Sequence, residues 1–329
     1  KLFILFLQRY IQDINDITND IVYNVVEEIY NNCSGSYSII IMINNFGIIT
    51  FRDIYGIRPL VYSRENDYVA IASETIGFIN DSNYTNVKNG EVVIIKDANT
   101  IYKKQIYNYP LTPCLFEYIY LARPESYIND ILVYEYREKI AEQIVNMINK
   151  NIDVKDIDYI IPVPQTGIIS GLKIGEIMNK PIKYAIVKNR YTHRTFINGN
   201  KSNIIKGIKK IKIIKKFVEN KNILVIDDSI VRGNTSKYIV DELKKNNAGK
   251  IFFVSCSPPI RHPNKYGIAI PTYSELIAFN KTEKNIEEYL GVNKIIYFTL
   301  DLLCETLTSL NSNITNFEKS VFTGNYIAN

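Results

Sequence analysis

The sequence predicts an α/β protein: a doubly wound parallel sheet over residues 111–329, preceded by an α+β unit over residues 1–110. Three observations predict it. Beyond Tyr109-Pro-Leu-Thr-Pro113, short apolar runs alternate with segments of helical period, as when parallel strands are joined by crossover helices. Before that boundary, strand-like runs follow one another with no helix between them, an antiparallel-looking series. Near the middle, the run Ile223–Ile226 stops at the adjacent acids Asp227 and Asp228. A turn of small residues from Ser229 to Thr235 then feeds a helical pattern over Ser236–Lys245.

In order along the chain, residues 1–30 read as helices with a polar break at Asp13–Asp20. Strands are predicted at Tyr37–Ile43, Gly47–Arg52, Leu60–Ser63, Tyr68–Ala72 and Glu91–Lys96. Past the two prolines of the boundary come a helix near Val133–Asn149, a strand at Ile157–Ile161 and a helix near Gly167–Met178. A strand at Ile182–Val187 follows, then the central strand and helix and a strand at Ile251–Ser255. Last come a helix near Thr282–Leu290, a strand at Ile295–Phe298 and a helix near Leu300–Leu310. No internal repeat is visible.

The bulk numbers exclude several classes. A chain of 329 residues with 46% hydrophobic and 22% charged residues can bury the cores of two ordinary domains. Its longest apolar runs, Leu2–Leu7 and Ile39–Ile43, are too short to span a bilayer, and Leu2–Leu7 is short for a signal core, so a cytoplasmic protein is expected. Net charge is +5, concentrated in the seven lysines of Lys201–Lys216. That run reads either as a nucleic-acid surface or as a solvated face near an anionic substrate; no nucleic-acid motif accompanies it. The four cysteines, Cys33, Cys114, Cys256 and Cys304, lack metal-ligand spacing and read as free thiols.

The central turn carries the chemistry. In an open α/β sheet, ligands bind beyond the carboxyl ends of the strands, where a following helix points free N–H groups at an anion. Asp227 and Asp228 would there face hydroxyls or a metal while the turn wraps a phosphate, so a sugar phosphate suits both halves. The blander reading makes the acids turn residues and lets Asn234 or Thr235 cap the helix. Asp227-Asp-Ser-Ile-Val-Arg-Gly-Asn-Thr-Ser236 closely resembles the phosphoribosyl-pyrophosphate (PRPP) signature of the type I phosphoribosyltransferases, and within them the glutamine PRPP amidotransferases. Asn234 departs from the threonine usual there, but its amide can still donate to phosphate.

Further blocks carry the same resemblance: Cys114-Leu-Phe-Glu-Tyr-Ile-Tyr-Leu-Ala-Arg-Pro-Glu-Ser126, Ile161-Pro-Val-Pro-Gln-Thr-Gly167, Lys188-Asn-Arg-Tyr-Thr-His-Arg-Thr-Phe-Ile197, Pro271–Ala278 and Ser320–Gly324. Upstream, Gly35-Ser-Tyr-Ser38, Phe51–Leu60 and Ala72-Ser-Glu74 resemble the closing part of the family's glutaminase, an N-terminal-nucleophile (Ntn) hydrolase domain of the type 2 glutamine amidotransferases.

The resemblance implies a type I phosphoribosyltransferase domain over 111–329 and a partial glutaminase domain over 1–110 that lacks its nucleophile. The family's nucleophile is an N-terminal cysteine. This sequence begins at Lys1 with Cys33 internal, so a longer native protein is expected, and 1–110 should expose apolar surface. The implied reaction forms 5-phosphoribosylamine from PRPP and glutamine-derived ammonia, with release of pyrophosphate, at the first step of purine synthesis. Asp227, Asp228, Ser229, Ile230, Val231, Arg232, Gly233, Asn234 and Thr235 are implied to hold PRPP, Arg232 more safely through its backbone than its side chain.

By the same resemblance Mg²⁺ would sit at Thr166, Asp227 and Asp228. Lys188, Tyr191 and Arg194 would be catalytic, on a loop that either closes over substrate or is merely exposed. Some family members carry an iron–sulfur cluster. Cys114 stands at one ligand position, but Asn264 occupies another and 318–321 hold no cysteine, so none is expected. Feedback by purine nucleotides and a homo-oligomer are family expectations. A salvage-type phosphoribosyltransferase and a non-enzymatic PRPP-binding regulator remain the alternatives.

Overall fold

A computed structural model describes residues 2–80, 83–188, 211–270 and 272–328. The first part is layered. Helices α1 (Leu2–Leu7) and α2 (Asn19–Asn32) precede strands β1 (Ser38–Ile43), β2 (Gly47–Arg52), β3 (Val61–Arg64), β4 (Val69–Ala72), β5 (Thr85–Asn86), β6 (Glu91–Ile95) and β7 (Ile101–Gln105). They form two antiparallel sheets, ordered β1-β2-β6-β7 and β4-β3-β5.

Strand β6 is buried along its whole length because it is covered on both faces. Val92 and Ile94 pack on Val22, Val25, Val26 and Ile29, the apolar stripe of α2, while Val93 and Ile95 face Leu60, Tyr62 and Val87 of the second sheet. As expected, this part exposes apolar side chains: Leu2, Ile4 and Leu5 on α1, and Ile40 and Met42 on the edge strand β1. Strands β5 and β7 were not anticipated. Strand β7 is an edge strand with exposed Lys103 and Lys104, so it lacks the apolar run that marks a strand.

A π-helical turn (Glu117–Leu121) leads to the tight hairpin of β8 (Tyr127–Ile128) and β9 (Ile131–Leu132), with Asn129 and Asp130 at φ 48° and 64°. The rest follows the predicted alternation, with β12 and α8 in addition to it: α3 (Val133–Asn151), β10 (Tyr159–Pro162), α4 (Ile168–Met178), β11 (Ile186–Lys188), β12 (Ile211–Ile213), β13 (Ile223–Asp227), α5 (Asn234–Lys245), β14 (Ile251–Ser255), α6 (Glu283–Leu290), β15 (Lys294–Tyr297), α7 (Leu300–Leu310) and α8 (Ser320–Thr323).

The main sheet runs β10-β13-β14-β15, all parallel. Alternate residues serve opposite faces. Leu224, Ile226, Phe252 and Val254 pack against α3 and α7, while Ile223, Val225, Ile251 and Phe253 pack against α5 and α6. Helices on both faces make the sheet doubly wound.

One predicted strand splits in two. Ile182 makes a single parallel bridge to Ile160 at the sheet edge, but the chain then leaves. Regular pairing resumes only at Ile186–Lys188, antiparallel to β12 in a separate ribbon. Apolar period marked both stretches as extended; it carries no information on which sheet each joins. At the other end of the sequence, Glu318 returns to Pro113–Leu115, exchanging backbone hydrogen bonds at 2.9 and 3.1 Å. No helix among the described residues is long and apolar enough to cross a membrane.

Candidate active site

Two strand ends meet at the carboxyl edge of the parallel sheet. Beyond β10, the amide of Val163 donates to the Ile226 carbonyl at 2.8 Å, binding the 163–167 turn against β13. The Pro164–Gln165 peptide in that turn is cis. Gly167 closes it where nothing larger fits, since a Cβ there would lie 2.4 Å from the Ile226 oxygen.

Asp227 and Asp228 end β13, both buried. Asp227 Oδ1 accepts from the Asp228 amide at 3.0 Å. Asp228 accepts from the Ser229 hydroxyl at 2.5 Å through Oδ1 and from the Thr166 hydroxyl through Oδ2. Thr166, Asp227 and Asp228, which the motif assigned to a metal, are therefore brought together. Burial, then the neighbouring charge of Asp228, pushes the Asp227 carboxyl well up from its ordinary range. Burial pushes Asp228 up too, against the Ser229 and Thr166 hydroxyls and the charge of Arg137.

The turn after the acids is built to hold its shape. Ile230 is buried in the core, and the Val231 carbonyl accepts from the Ile277 amide at 3.0 Å. The Arg232 guanidinium pairs with Glu275 and donates to the Ala269 carbonyl at 3.2 Å, so its side chain is turned away from the turn's mouth. Gly233, at φ 76°, precedes α5. No side chain caps α5, so among the described residues the alternative reading of Asn234 or Thr235 as a cap is not met. The first N–H groups of a 12-residue helix are left open, with the polarity that favours an anion.

Lys188 lies exposed at the end of β11. Tyr191 and Arg194 lie outside the described residues. Sequence reading missed Arg137 and Glu275. Arg137 is 4% exposed on α3, amid the buried stripe Val133, Tyr136, Ile140, Ala141 and Ile144. A lone arginine on an apolar face was the available signal. Its Nε donates to the Tyr118 carbonyl at 3.0 Å and its Nη2 to the Ala122 carbonyl at 2.9 Å. Burial pulls its pKa down, opposed first by the charge of Asp228.

No group of three His, Cys, Asp or Glu side chains that could hold a metal by itself occurs among the described residues. The oxygens of Thr166, Asp227 and Asp228 are hard donors of the kind Mg²⁺ takes alongside water and substrate oxygens. Cys33, Cys114, Cys256 and Cys304 are free thiols. Asn264, at a second cluster position, is a polar residue of the C-terminal part, and Glu318, the first residue of the cysteine-free 318–321 segment, forms an isolated parallel backbone bridge with Cys114.

A doubly wound parallel sheet carrying an acid pair, a glycine turn and an open helix N-terminus at its carboxyl edge is the architecture of the type I phosphoribosyltransferases. Comparison narrows the class. The chain is 38% identical over 318 residues to the amidophosphoribosyltransferase of Pasteurella multocida, covering 93% of this chain and 62% of that protein. It is 36% identical over 324 residues to that of Saccharomyces cerevisiae, covering 94% and 63%. The solved glutamine PRPP amidotransferase of Bacillus subtilis, complexed with ADP and GMP, superposes with a TM-score of 0.83 at 28% identity, over 99% of this chain and 70% of that one. No family model matches. The chain is similar to amidophosphoribosyltransferases over more than nine tenths of its own length, and it spans less than two thirds of the length of these curated relatives.

Proposed function

We propose that this chain carries the transferase half of an amidophosphoribosyltransferase over 111–329, joined to the closing part of a glutaminase domain over 1–110. The reaction at the transferase site is displacement at ribose C1 of PRPP. The ammonia lone pair forms the C1–N bond, the C1–O bond to pyrophosphate breaks, and the nitrogen loses a proton to give 5-phosphoribosylamine. The observation that carries this reading is the buried acid pair set beside an uncapped helix N-terminus, a combination that a sugar phosphate fits and a simple turn does not need.

The roles follow from position. The 5′-phosphate sits in the turn Ser229–Thr235, held by backbone N–H groups and the hydroxyls of Ser229 and Thr235. Asp227 and Asp228 accept from the ribose hydroxyls, and Thr166 steadies Asp228. Dipole attraction at the helix end adds about 0.3–1 kcal/mol and is secondary to the hydrogen bonds. Lys188, Tyr191 and Arg194 are assigned to the departing pyrophosphate, with closure over the substrate excluding water. Thr166, Asp227 and Asp228 would hold Mg²⁺, which would supply charge neutralisation for the pyrophosphate. Purine nucleotides as inhibitors, a homo-oligomer and a cytoplasmic location complete the reading.

The test measures pyrophosphate release from PRPP and Mg²⁺ with ammonium or glutamine as the nitrogen source. Release with ammonium alone supports a working transferase site without a working glutaminase. PRPP binding with no release under either condition would favour a regulator.

A further inference from the structure

Arg137 is buried, yet no ion pair among the described residues includes it. A buried charge without a contact partner is costly and is retained only when something else depends on it. Its described hydrogen bonds go to two carbonyls, those of Tyr118 and Ala122, which take Nε and Nη2 and so fix the plane of the guanidinium. The carbonyls belong to one short segment, and that segment is placed by side chains from the antiparallel part. At its start, Arg58 pairs with Glu117 at 2.5 Å. At its end, a single oxygen of Glu74 accepts from the Arg123 amide and from the buried Ser126 hydroxyl, both at 2.8 Å. Thr75 accepts from the Tyr127 amide at 2.9 Å. On its other side, Ser170 of α4 donates to the Arg137 carbonyl at 3.3 Å, and α4 is the helix that follows the Thr166 turn.

We propose that Arg137 is a positioning residue for the PRPP site, and that Glu74, reaching across from the antiparallel part, fixes its posture and thereby the affinity for PRPP. This rests on the reading of the acid pair as that site. With its plane fixed by the two carbonyls, the guanidinium holds its positive charge where it favours the ionised Asp228 carboxylate. Loosening the 122–126 loop lets the fork drift, and Asp228 loses that support although no atom of the site has changed.

The experiment is a double-mutant cycle on PRPP affinity in the presence of Mg²⁺, by calorimetry, with thermal melts as the folding control. Glu74→Ala is expected to weaken PRPP about tenfold and Arg137→Met about a hundredfold, the range of lost hydrogen bonds to a charged group. The double variant should be no weaker than Arg137→Met alone. In ammonium-dependent turnover, Glu74→Ala should raise KM for PRPP with kcat nearly unchanged. Ser126→Ala and Arg137→Lys are the conservative variants, used where a larger change does not fold; each should weaken PRPP several-fold.

A folded Glu74→Ala protein with the parent's affinity overturns the proposal, as do losses that multiply in the double variant. Parent affinity in both conservative variants does so too. Failure of the unmutated chain to bind PRPP would sink the reading of the site and this proposal with it. Binding by the parent with an unaffected Glu74→Ala sinks the proposal alone.

Discussion

Replacing Arg58 with methionine should cost more stability than any other single change where the antiparallel part meets the π-helical turn, and the cost should depend on pH. Arg58 holds Glu117 at 2.5 Å and donates to the Tyr266 carbonyl through Nε at 3.2 Å and Nη2 at 3.0 Å. The two side chains are 19% and 10% exposed, so the pair is largely but not wholly withdrawn from water. Breaking a buried pair by removing one partner costs about 3–5 kcal/mol. Residual exposure puts this one nearer 2–3 kcal/mol by the same reasoning. The stranded Tyr266 carbonyl adds about 1 kcal/mol.

The pH sign follows from Glu117. Burial raises its carboxyl even with Arg58 present, and Arg58 is the main opposing influence. A carboxyl raised in the folded state contributes stability that is full below its unfolded pKa and lost as pH rises through the folded one. Without Arg58 that loss is larger. The deficit of Arg58→Met relative to the parent should therefore approach 3–4 kcal/mol at pH 8, roughly 6–12 °C in melting temperature, and shrink toward pH 5. Calorimetric melts of parent, Arg58→Met and Glu117→Gln at both pH values check this. Glu117→Gln, which leaves no carboxyl to titrate, should lose the pH dependence. A deficit equal at pH 5 and pH 8, or none at either, would refute the assignment of that pair as the principal tie.

Three further outcomes are expected. Asp228→Asn should abolish PRPP binding yet raise the melting temperature of the ligand-free protein at neutral pH. Burial raises this carboxyl, so its ionised form costs stability as pH rises, and the gain should fade as pH drops into the ordinary carboxylate range; a less stable variant at pH 8 would contradict it. Gly233→Ala places a side chain at φ 76° with its Cβ 2.4 Å from Ile277 Cδ1; urea titration should show a loss of about 1–2 kcal/mol, and no loss would mean that the turn is not held as described. Thr166→Val removes the hydroxyl on Asp228 and should weaken Mg²⁺-dependent PRPP binding about tenfold with folding retained, read by calorimetry.

What the sequence made legible was whatever is written in adjacent residues. Strand β13 announces itself because Ile223–Ile226 is an unbroken apolar run, as a central parallel strand buried on both faces requires, and the turn residues after it lead into a helical pattern. The boundaries of β14 and α7 were read from the same kind of local pattern. Strands β5 and β7 were hidden because an edge strand needs no apolar run. Ile182–Val187 was read as one strand because periodicity reports that backbone is extended, not what it pairs with. The site divides in the same way. The acids, the glycine and Thr166 belong to contiguous motifs, whereas Arg137, Glu275 and Glu74 act on residues distant in sequence, and no local pattern states a contact of that kind.

Arg232 shows how the two kinds of information combine. Read in the motif, a cation beside a phosphate-binding glycine invites assignment to the phosphate. In the structure its guanidinium is committed to Glu275 and Ala269, where it holds the segment that covers the turn. From that segment, the Ile277 amide bonds Val231 and the Ile277 side chain fills the space over Gly233. The turn is thus shaped before any ligand arrives, and an anion entering it meets N–H groups that need no reorganisation. A binding loop made this way spends little of the interaction on ordering itself. If the turn takes the 5′-phosphate as proposed, an arginine directed away from that phosphate still belongs to its site.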